Sequence, residues 1–399
     1  KDPFLYSSKY GNYLSWSHAQ NSGNPEDSKR FLLGLKDSLE NNEIIEKAFF
    51  TSLLINEWKL SLYFARKIIL FDDANFFANV VLSTNEFING ESESSESFLK
   101  SISTTAIDEN FIKVILSWHK YSQGEKKPYI DLFSNPESEE CIPLNCLHIA
   151  LITSLMGKDD IAKKNFDFLK NQDLKSFRLL EILFNFYISS NNYESAKFIY
   201  KELKDNNLEI ENYNLIFNQR KNFNPIKNPK DGIAEAYANI AGWFYEQGLY
   251  KFSAYFSVIG LQIRPELSSL KYLLSNIYLK LKLDNMVLSS VKNIKLGDLY
   301  YSKTLSIKLK SLSNLDRNET VISDLKNLVS NFPNRDDYKL YLADILRSSG
   351  FHRESIDYYD NLIKEITDPK KDDWGIFYSR GISHERLKNW KLSEKDLVK

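Results

Sequence analysis

The sequence predicts an all-α protein in which short helical hairpins stack into a right-handed superhelical α-solenoid. The chain holds only 14 Gly and 10 Pro among 399 residues, whereas α/β folds and β-barrels use these residues at many turns. Apolar residues recur at three- and four-residue spacings in segments such as 177–190, 234–246 and 338–348, which is typical of amphipathic helices. Each segment ends at a short polar break, and short helices joined by tight breaks form antiparallel hairpins.

The composition excludes several other classes of protein. The charges balance, with 52 Lys+Arg against 53 Asp+Glu and a formal net charge of -1, so there is no electrostatic case for binding nucleic acid in general. Hydrophobic residues make up 43% and aromatic residues 14%, which is enough apolar material to bury a large core. No stretch approaches the roughly 18 consecutive apolar residues of a membrane-spanning helix, so no transmembrane segment is predicted.

Two prolines indicate the length of a repeat. Pro265 and Pro333 are separated by two periods of about 34 residues each. In that register, small or apolar residues such as Tyr237, Ser253 and Gly260 fall where the two helices of a hairpin would cross. Small residues are needed where helix backbones approach closely. A single hairpin leaves one apolar face bare, so neighbouring hairpins must stack on it.

With these residues, the segment 234–399 resembles the tetratricopeptide repeat family, whose period is about 34 residues. The segments 146–171 and 177–209 fit the same pattern less closely. The resemblance implies an α-solenoid that binds other proteins. A closer resemblance lies in 338–360 and 373–396, which look like the carboxy-terminal region of tetratricopeptide proteins from alphaproteobacteria. That resemblance implies a secreted protein of the cell envelope.

The repeats predict three regions along the chain. Residues 1–211 are expected to form an irregular amino-terminal solenoid, and residues 232–399 a regular array of about five repeats, the last one incomplete. Residues 212–231, which contain two Asn-Pro pairs, are predicted to be a linker or hinge between them. The chain begins without Met, and we expect a processed product from which a signal peptide has been removed.

The sequence contains no motif of a known catalytic site. It has no phosphate loop, dinucleotide fingerprint, His-Glu-x-x-His or Gly-x-Ser-x-Gly, so a non-enzymatic chain without cofactors is predicted. Cys141, Cys146 and His148 form a cluster of metal-ligand types that lacks a fourth ligand, and no metal is predicted. Buried thiols and a local disulfide both stay open for the two cysteines. The Ser/Glu-rich stretch 90–103 is predicted to be a solvated loop that contains candidate helix starts.

The first helices of stacked hairpins line a concave groove, and a set of aromatic, amide and basic residues is predicted to face it. They are Tyr245, Tyr272, Asn276, Lys280, Lys303, Lys310, Asn314, Arg347, Tyr378 and Arg386. Basic and amide side chains can hold a peptide backbone or a carboxylate, and Tyr supplies contact area at a low entropy cost. The prediction is a protein or peptide partner that carries an acidic segment. The alternative is that these are ordinary solvated side chains in a chain rich in Lys and Asn.

We therefore predict a non-enzymatic protein–protein interaction scaffold or adaptor of a bacterial envelope. It would be periplasmic or associated with the outer membrane, and a membrane-associated complex is one setting that this implies. One alternative is a regulatory or substrate-recognition subunit of an envelope enzyme that binds peptidoglycan or another glycan; the other is a cytoplasmic assembly factor. Exposed Trp and Tyr in a carbohydrate-sized groove would favour the glycan alternative, whereas a long groove lined by Lys and Asn would favour a peptide.

Overall fold

The chain is all-α, as the sequence predicts. A computed structural model describes residues 8–21, 24–102, 106–173, 176–206, 225–294, 298–366 and 373–398. Within these ranges the chain forms 21 α-helices, two short 3₁₀ helices and one isolated β-bridge between Asn135 and Glu140. None of the helices in the described ranges combines the length and the apolar character needed to cross a bilayer.

The helices are short and follow one another throughout the described ranges. They are α1 (Lys9–Asn21), α2 (Pro25–Leu35), α3 (Asn42–Leu54), α4 (Trp58–Ile68), α5 (Phe76–Asn89), α6 (Ser92–Lys100), α7 (Ala106–Ser122), α8 (Pro143–Leu155), α9 (Asp159–Lys170), α10 (Phe177–Ser189), α11 (Tyr193–Asn206), α12 (Pro229–Glu246), α13 (Tyr250–Ile263), α14 (Ser268–Lys280), α15 (Asp284–Val291), α16 (Tyr301–Asn314), α17 (Asn318–Asn331), α18 (Asp336–Ser348), α19 (His352–Glu365), α20 (Trp374–Arg386) and α21 (Trp390–Leu397). The 3₁₀ helices are Lys36–Ser38 and Ile130–Leu132.

The turns after the first helix of each repeat reveal the period directly. From α3 onward each of these turns contains one residue with a positive φ: Asn56, Gly90, Gly124, Gly157, Asn191, Gly248, Lys282, Asp316, Gly350 and Lys388. From Asn56 to Asn191, and again from Gly248 to Gly350, successive members are separated by about 34 residues. Glycine or asparagine is favoured there because a Cβ atom disfavours this backbone conformation. The same period therefore holds within region 1–211 as well.

Short polar side chains begin several of the helices. Asn24, Asn41, Asn75, Ser176 and Asn228 precede α2, α3, α5, α10 and α12, and each accepts a hydrogen bond from a backbone N–H of the first turn at 3.0–3.1 Å. Such caps satisfy N–H groups that the helix itself leaves without partners. The abundance of Asn in the chain thus contributes to where the helices start.

The prediction of a loop at 90–103 is wrong for most of that stretch, because α6 occupies residues 92–100. Two residues on one face of α6, Ser95 and Leu99, are buried. The Ser95 hydroxyl donates to the carbonyl of Ser83 in α5 at 2.7 Å. The stretch contains few apolar residues because a serine, rather than a large side chain, fills this close helix contact.

The chain divides into two compact units, which we call unit 1 (residues 1–307) and unit 2 (residues 308–399). Residues on both sides of the predicted linker 212–231 belong to unit 1. Residues 212–224 lie outside the described part of the chain, so the linker itself stays a prediction. The rest of it is packed: the Pro225 carbonyl accepts a hydrogen bond from Arg264 Nη1 at 2.6 Å, and α12 starts at Pro229.

In unit 1, α12 and α13 cover the first helices of the earlier hairpins. α12 packs against α7 and α8, and α13 packs against α3 and α5. The rings of Phe111 and Tyr237 lie 5.4 Å apart between centroids, and those of Phe50 and Tyr255 lie 5.0 Å apart. The Thr84 and Tyr237 hydroxyls are hydrogen-bonded at 2.7 Å across 153 residues of sequence. The inner face of the amino-terminal hairpins is therefore filled by the chain itself.

In unit 2, each helix packs against the next one in sequence, from α17 to α21. Leu342, Leu346 and Tyr359 are fully buried between these helices. The Ser355 and Ser383 hydroxyls lie 3.0 Å apart where α19 meets α20. Unit 2 is thus a plain stack of hairpins held by neighbouring helices.

Candidate functional site

A cavity of about 520 Å³ lies among α8, α10, α12 and α14, which are the first helices of four hairpins of unit 1. We call it the aromatic cavity because five aromatic side chains line it. Its principal lining residues are Leu147, Phe177, Arg178, Asn239, Trp243, Tyr245, Glu246, Tyr272, Asn276 and Tyr300. Cavities of this size and mixed chemistry are typical ligand-binding sites.

Several aromatic rings of the cavity pack against one another, and one of the aromatic side chains keeps surface exposed to a ligand. Tyr300 is buried, with its ring centroid 5.2 Å from that of Phe177 and 5.7 Å from that of Tyr272. Trp243, by contrast, keeps 42% of its surface exposed. A large aromatic side chain that is exposed beside a cavity offers apolar area together with an indole N–H donor.

The side of the cavity formed by α10 and α12 carries a buried ion cluster. Arg178 Nη2 lies 2.7 Å from Glu235 Oε2, and Arg178 Nη1 lies 2.8 Å from Glu181 Oε2. The Tyr300 hydroxyl also donates to Glu181 Oε2 at 3.1 Å. Burial by itself would lower the pKa of Arg178, but the two carboxylates raise it well above its ordinary value. Charge-assisted hydrogen bonds of this kind fix the side chains they join.

A hydrogen-bonded chain extends this cluster into the core. Asn239 Nδ2 lies 3.4 Å from Glu235 Oε1, and Asn239 Oδ1 lies 3.1 Å from His148 Nε2. The Trp118 indole donates to His148 Nδ1 at 3.0 Å, so the ring proton of a neutral imidazole belongs on Nε2 and is donated to Asn239. Burial lowers the pKa of His148 to about 4. The Asn239 side chain, which lines the cavity, is therefore fixed by hydrogen bonds at both its amide nitrogen and its amide oxygen.

Three of the predicted groove residues line the aromatic cavity: Tyr245, Tyr272 and Asn276. Asn276 Nδ2 donates to the Tyr272 carbonyl at 3.0 Å. Lys303 lies beside the cavity, with Nζ 4.8 Å from the centroid of the Phe177 ring, and burial lowers its pKa. Lys280 is exposed and does not belong to this lining.

The remaining five predicted groove residues belong to unit 2. Lys310, Asn314 and Arg386 are exposed. Arg347 is half-buried, with Nε 3.3 Å from the Tyr359 hydroxyl. Tyr378 keeps 49% of its surface exposed and packs against Trp374. A groove that uses these residues stays a prediction.

Sequence reasoning missed Phe177, Asn239, Trp243 and Tyr300. A signal for two of them was present, because Asn239 and Trp243 have the same i, i+4 spacing as Tyr272 and Asn276 and so share a helix face. Phe177 and Tyr300 carry no such signal. They reach the cavity because Phe177, at the start of α10, packs against Tyr300, which directly precedes α16.

The two cysteines form a disulfide between Cys141 and Cys146, with their Cα atoms 5.4 Å apart. Of the two interpretations that the sequence left open, the structure has the disulfide. It closes the segment that leads into α8, whose Pro143 and Leu144 line the aromatic cavity. Across the described ranges, no group of three or more His, Cys, Asp or Glu side chains is arranged to hold a metal ion.

No protein-family profile matches the sequence, and no curated protein matches it either. Among solved structures, the chain is similar to YrrB, a TPR protein with an unusual peptide-binding site, at 16% identity over 41% of this chain and 83% of that one, with a TM-score of 0.34. It is also similar to Naa15/Naa10 bound to HypK-THB (12% identity, 98% of this chain and 57% of that one, TM-score 0.37) and to the P58(IPK) TPR domain (12% identity, 90% and 91%, TM-score 0.24).

The class of the protein follows from its own geometry. Helical hairpins whose turns carry a residue with positive φ at intervals of about 34 residues define an α-solenoid of tetratricopeptide-like hairpins. The sequence-based expectation of that fold is confirmed.

Proposed function

We propose that the chain is a non-enzymatic protein-interaction scaffold that binds a segment of a partner protein in the aromatic cavity. The observation that carries the proposal is the position of that cavity on the first helices of four hairpins, with Trp243, Tyr245 and Tyr272 in its lining. Rigid aromatic side chains in a concave site are the usual anchors of protein interfaces. The acidic partner that the sequence predicts is matched better by a second cavity of unit 1, whose lining includes three lysines.

The test uses the full chain and a random peptide library displayed on phage. Synthetic versions of the enriched peptides are titrated against the wild type and against Trp243→Ala. We expect Trp243→Ala to weaken binding at least tenfold, because a central aromatic anchor typically contributes about 2 kcal/mol or more. The thermal transition of the variant should change little, since Trp243 keeps 42% of its surface exposed.

Trp374→Ala is the matched control, because Trp374 is also an exposed tryptophan, at 64%, but lies in unit 2. Its binding should equal that of the wild type. Peptides that bind Trp243→Ala as tightly as the wild type, or that lose affinity equally with both variants, would contradict the assignment of the site.

A second candidate function is glycan recognition, as in a regulatory or substrate-recognition subunit of an envelope enzyme. The exposed indole of Trp243, next to Tyr245 and the amide of Asn239, favours it, because sugar rings can pack on aromatic faces while amides bind their hydroxyls. Soluble peptidoglycan fragments and chitin oligomers, titrated against the same two variants, separate the candidates. Binding of a glycan that depends on Trp243, without selection of any peptide, would replace the first proposal with the second.

We further propose a location in a bacterial envelope, periplasmic or at the outer membrane, with the cytoplasm as the alternative. The Cys141–Cys146 disulfide supports it, because disulfides persist in oxidising compartments and are rare in the cytosol. Protein taken from its native source under acid quench should react with a maleimide only after reduction. Reaction of both thiols before reduction would argue for the cytoplasm.

A further inference from the structure

A second cavity of unit 1, of about 590 Å³, lies where the beginning of the chain meets much later helices. One side is formed by α1, the start of α2 and α3, and the other by α13 and the turn between α14 and α15. Two hydrogen bonds hold this contact, from the Tyr278 hydroxyl to the Leu54 carbonyl at 3.0 Å and from Gln262 Nε2 to Asn56 Oδ1 at 3.0 Å. The cavity is therefore part of a fixed junction between elements that are far apart in the sequence.

The charge of this cavity departs from the balance of the chain. Lys47, Lys251 and Lys282 belong to its lining, whose described residues include no Asp or Glu. All three lysines are exposed, and within the described residues none of them forms an ion pair. The nearby carboxylate of Asp27 is already engaged, by Asn24 Nδ2 at 2.8 Å and by Arg30. We call this site the basic cavity.

Part of the wall of the cavity is apolar, beside the polar side chains of Gln20, Asn24, Ser28 and Thr51. Phe50, Leu54, Ile55, Leu281 and Leu283 line it and are only half-buried, so they can still lose surface to a partner. One large apolar side chain bound against this wall would gain the hydrophobic contribution. Acidic side chains on either side of it would reach the lysines, whose charges no carboxylate of the described lining offsets.

We propose that the basic cavity binds an acidic segment of a partner protein, with one large apolar side chain against the wall and carboxylates against Lys47, Lys251 and Lys282. The occupant is a protein segment rather than a nucleic acid, because the apolar part of the described lining is mainly aliphatic and contains two aromatic side chains, Phe50 and Tyr255, rather than a row of them. The cavity joins α3 to α13 and α14, so a bound segment also stabilises that junction of unit 1. The site is separate from the aromatic cavity and does not need it.

The experiment uses the full chain and a fluorescein-labelled hexapeptide with Leu-Phe between two pairs of glutamates. We expect binding that weakens as salt rises from about 50 to 500 mM, and a thermal transition that rises with peptide concentration. The triple variant K47Q/K251Q/K282Q should weaken binding about tenfold. The variant K126Q/K127Q/K292Q removes the same charge from exposed positions outside the cavity and should bind as the wild type does.

Changes to the peptide and to the aromatic cavity test whether binding occurs at this site. A peptide with Ala-Ala in place of Leu-Phe, and one with lysines in place of the glutamates, should both bind at least tenfold more weakly. Trp243→Ala should bind the acidic peptide as the wild type does. Binding at the basic cavity can therefore be tested independently of the function proposed for the aromatic cavity. The proposal is overturned if the peptide does not bind below about 1 mM, or if both lysine triples bind equally. It is also overturned if vesicles of anionic phospholipid bind in a manner that depends on the three lysines while the peptide does not.

Discussion

Unit 1 and unit 2 are built from the same kind of hairpin, yet they are held together differently. In unit 1, Arg178 of α10 pairs with Glu235, which lies 57 residues further along the chain, and the Tyr278 hydroxyl bonds a carbonyl 224 residues away. In unit 2, Arg380 of α20 pairs with Asp360 and Asp396, which lie only 20 and 16 residues away. Unit 1 therefore combines a pair between neighbouring hairpins, Arg178 with Glu235, with a contact between distant hairpins, Tyr278 with Leu54, whereas the pairs of Arg380 in unit 2 join neighbouring helices.

The two arginines are otherwise alike, because each bridges two carboxylates. The carboxylates of Arg178 both lie in the core, with side-chain exposures of 5% and 0%. Of the partners of Arg380, Asp396 is 3% exposed but Asp360 is 44% exposed. The two clusters thus differ in one carboxylate, since both partners of Arg178 are buried whereas one partner of Arg380 is exposed.

The largest expected effect comes from breaking the two clusters in parallel. Arg178→Met should lower the free energy of unfolding by about 3–5 kcal/mol, because it leaves two buried carboxylates without a cation. Arg380→Met should cost about 2 kcal/mol, because only Asp396 is left buried and Asp360 can be solvated. Urea denaturation of the full chain measures both losses, and hydrogen exchange assigns each to its unit.

The control for this prediction restores the charge balance. Adding Glu181→Gln and Glu235→Gln to Arg178→Met should recover part of the loss, since the remaining groups are neutral. A loss from Arg380→Met that equals or exceeds that from Arg178→Met would mean that the two units are held in the same way.

A smaller difference between the units is expected in how their stability depends on pH. Burial lowers the pKa of His119 and of His148, both in unit 1, to about 4 from the ordinary 6.5. Below pH 6.5 the unfolded chain binds protons that the folded chain does not, so stability is lost as the pH falls toward 4. Between pH 6.5 and 5 each histidine should cost unit 1 about 2 kcal/mol.

The measurement is urea denaturation at pH 7, 6 and 5, with hydrogen exchange to follow each unit. In unit 2 the pKa of His384 is also lowered by burial. One such histidine, rather than two, should therefore lower the stability of unit 2 as the pH falls. The double variant His119→Asn and His148→Asn should be less stable at pH 7 but should lose less on acidification. A variant whose stability falls with pH as steeply as the wild type would show that carboxylates, not these histidines, govern the response.

The sequence predicted the hairpins and their period because both are local. Apolar spacing reports which face of a helix is buried, and Gly248 and Gly350 report the turns. Gly90, Gly124 and Gly157, which recur at intervals of about 34 residues, would have extended the period into region 1–211. The helix at 92–100 was missed because Ser95 packs without adding an apolar residue to the pattern.

The packing of α12 and α13 against α3, α5 and α7 could not be predicted in this way. Periodicity shows that Phe50 and Tyr255 face inward on their own helices, but not that they face each other. The two cavities have the same origin. Tyr245, Tyr272 and Asn276 could be predicted from their positions in the repeat. Phe177 lines the aromatic cavity because of three-dimensional packing that the repeat pattern does not show. Lys47 and Lys282, which are distant in the sequence, meet only at the junction of α3 with the α14–α15 turn.

The filling of the early hairpins by α12 and α13 has a consequence during synthesis of the protein. The ribosome adds Thr84 and its neighbours to the chain 153 residues before it adds their partner Tyr237. Until then the inner faces of α3, α5 and α7 have no cover, and exposed apolar surface on a growing chain is a target for chaperones and for aggregation. At about 5–20 residues per second that interval lasts roughly 8–30 s, which makes the order of translation part of how unit 1 closes.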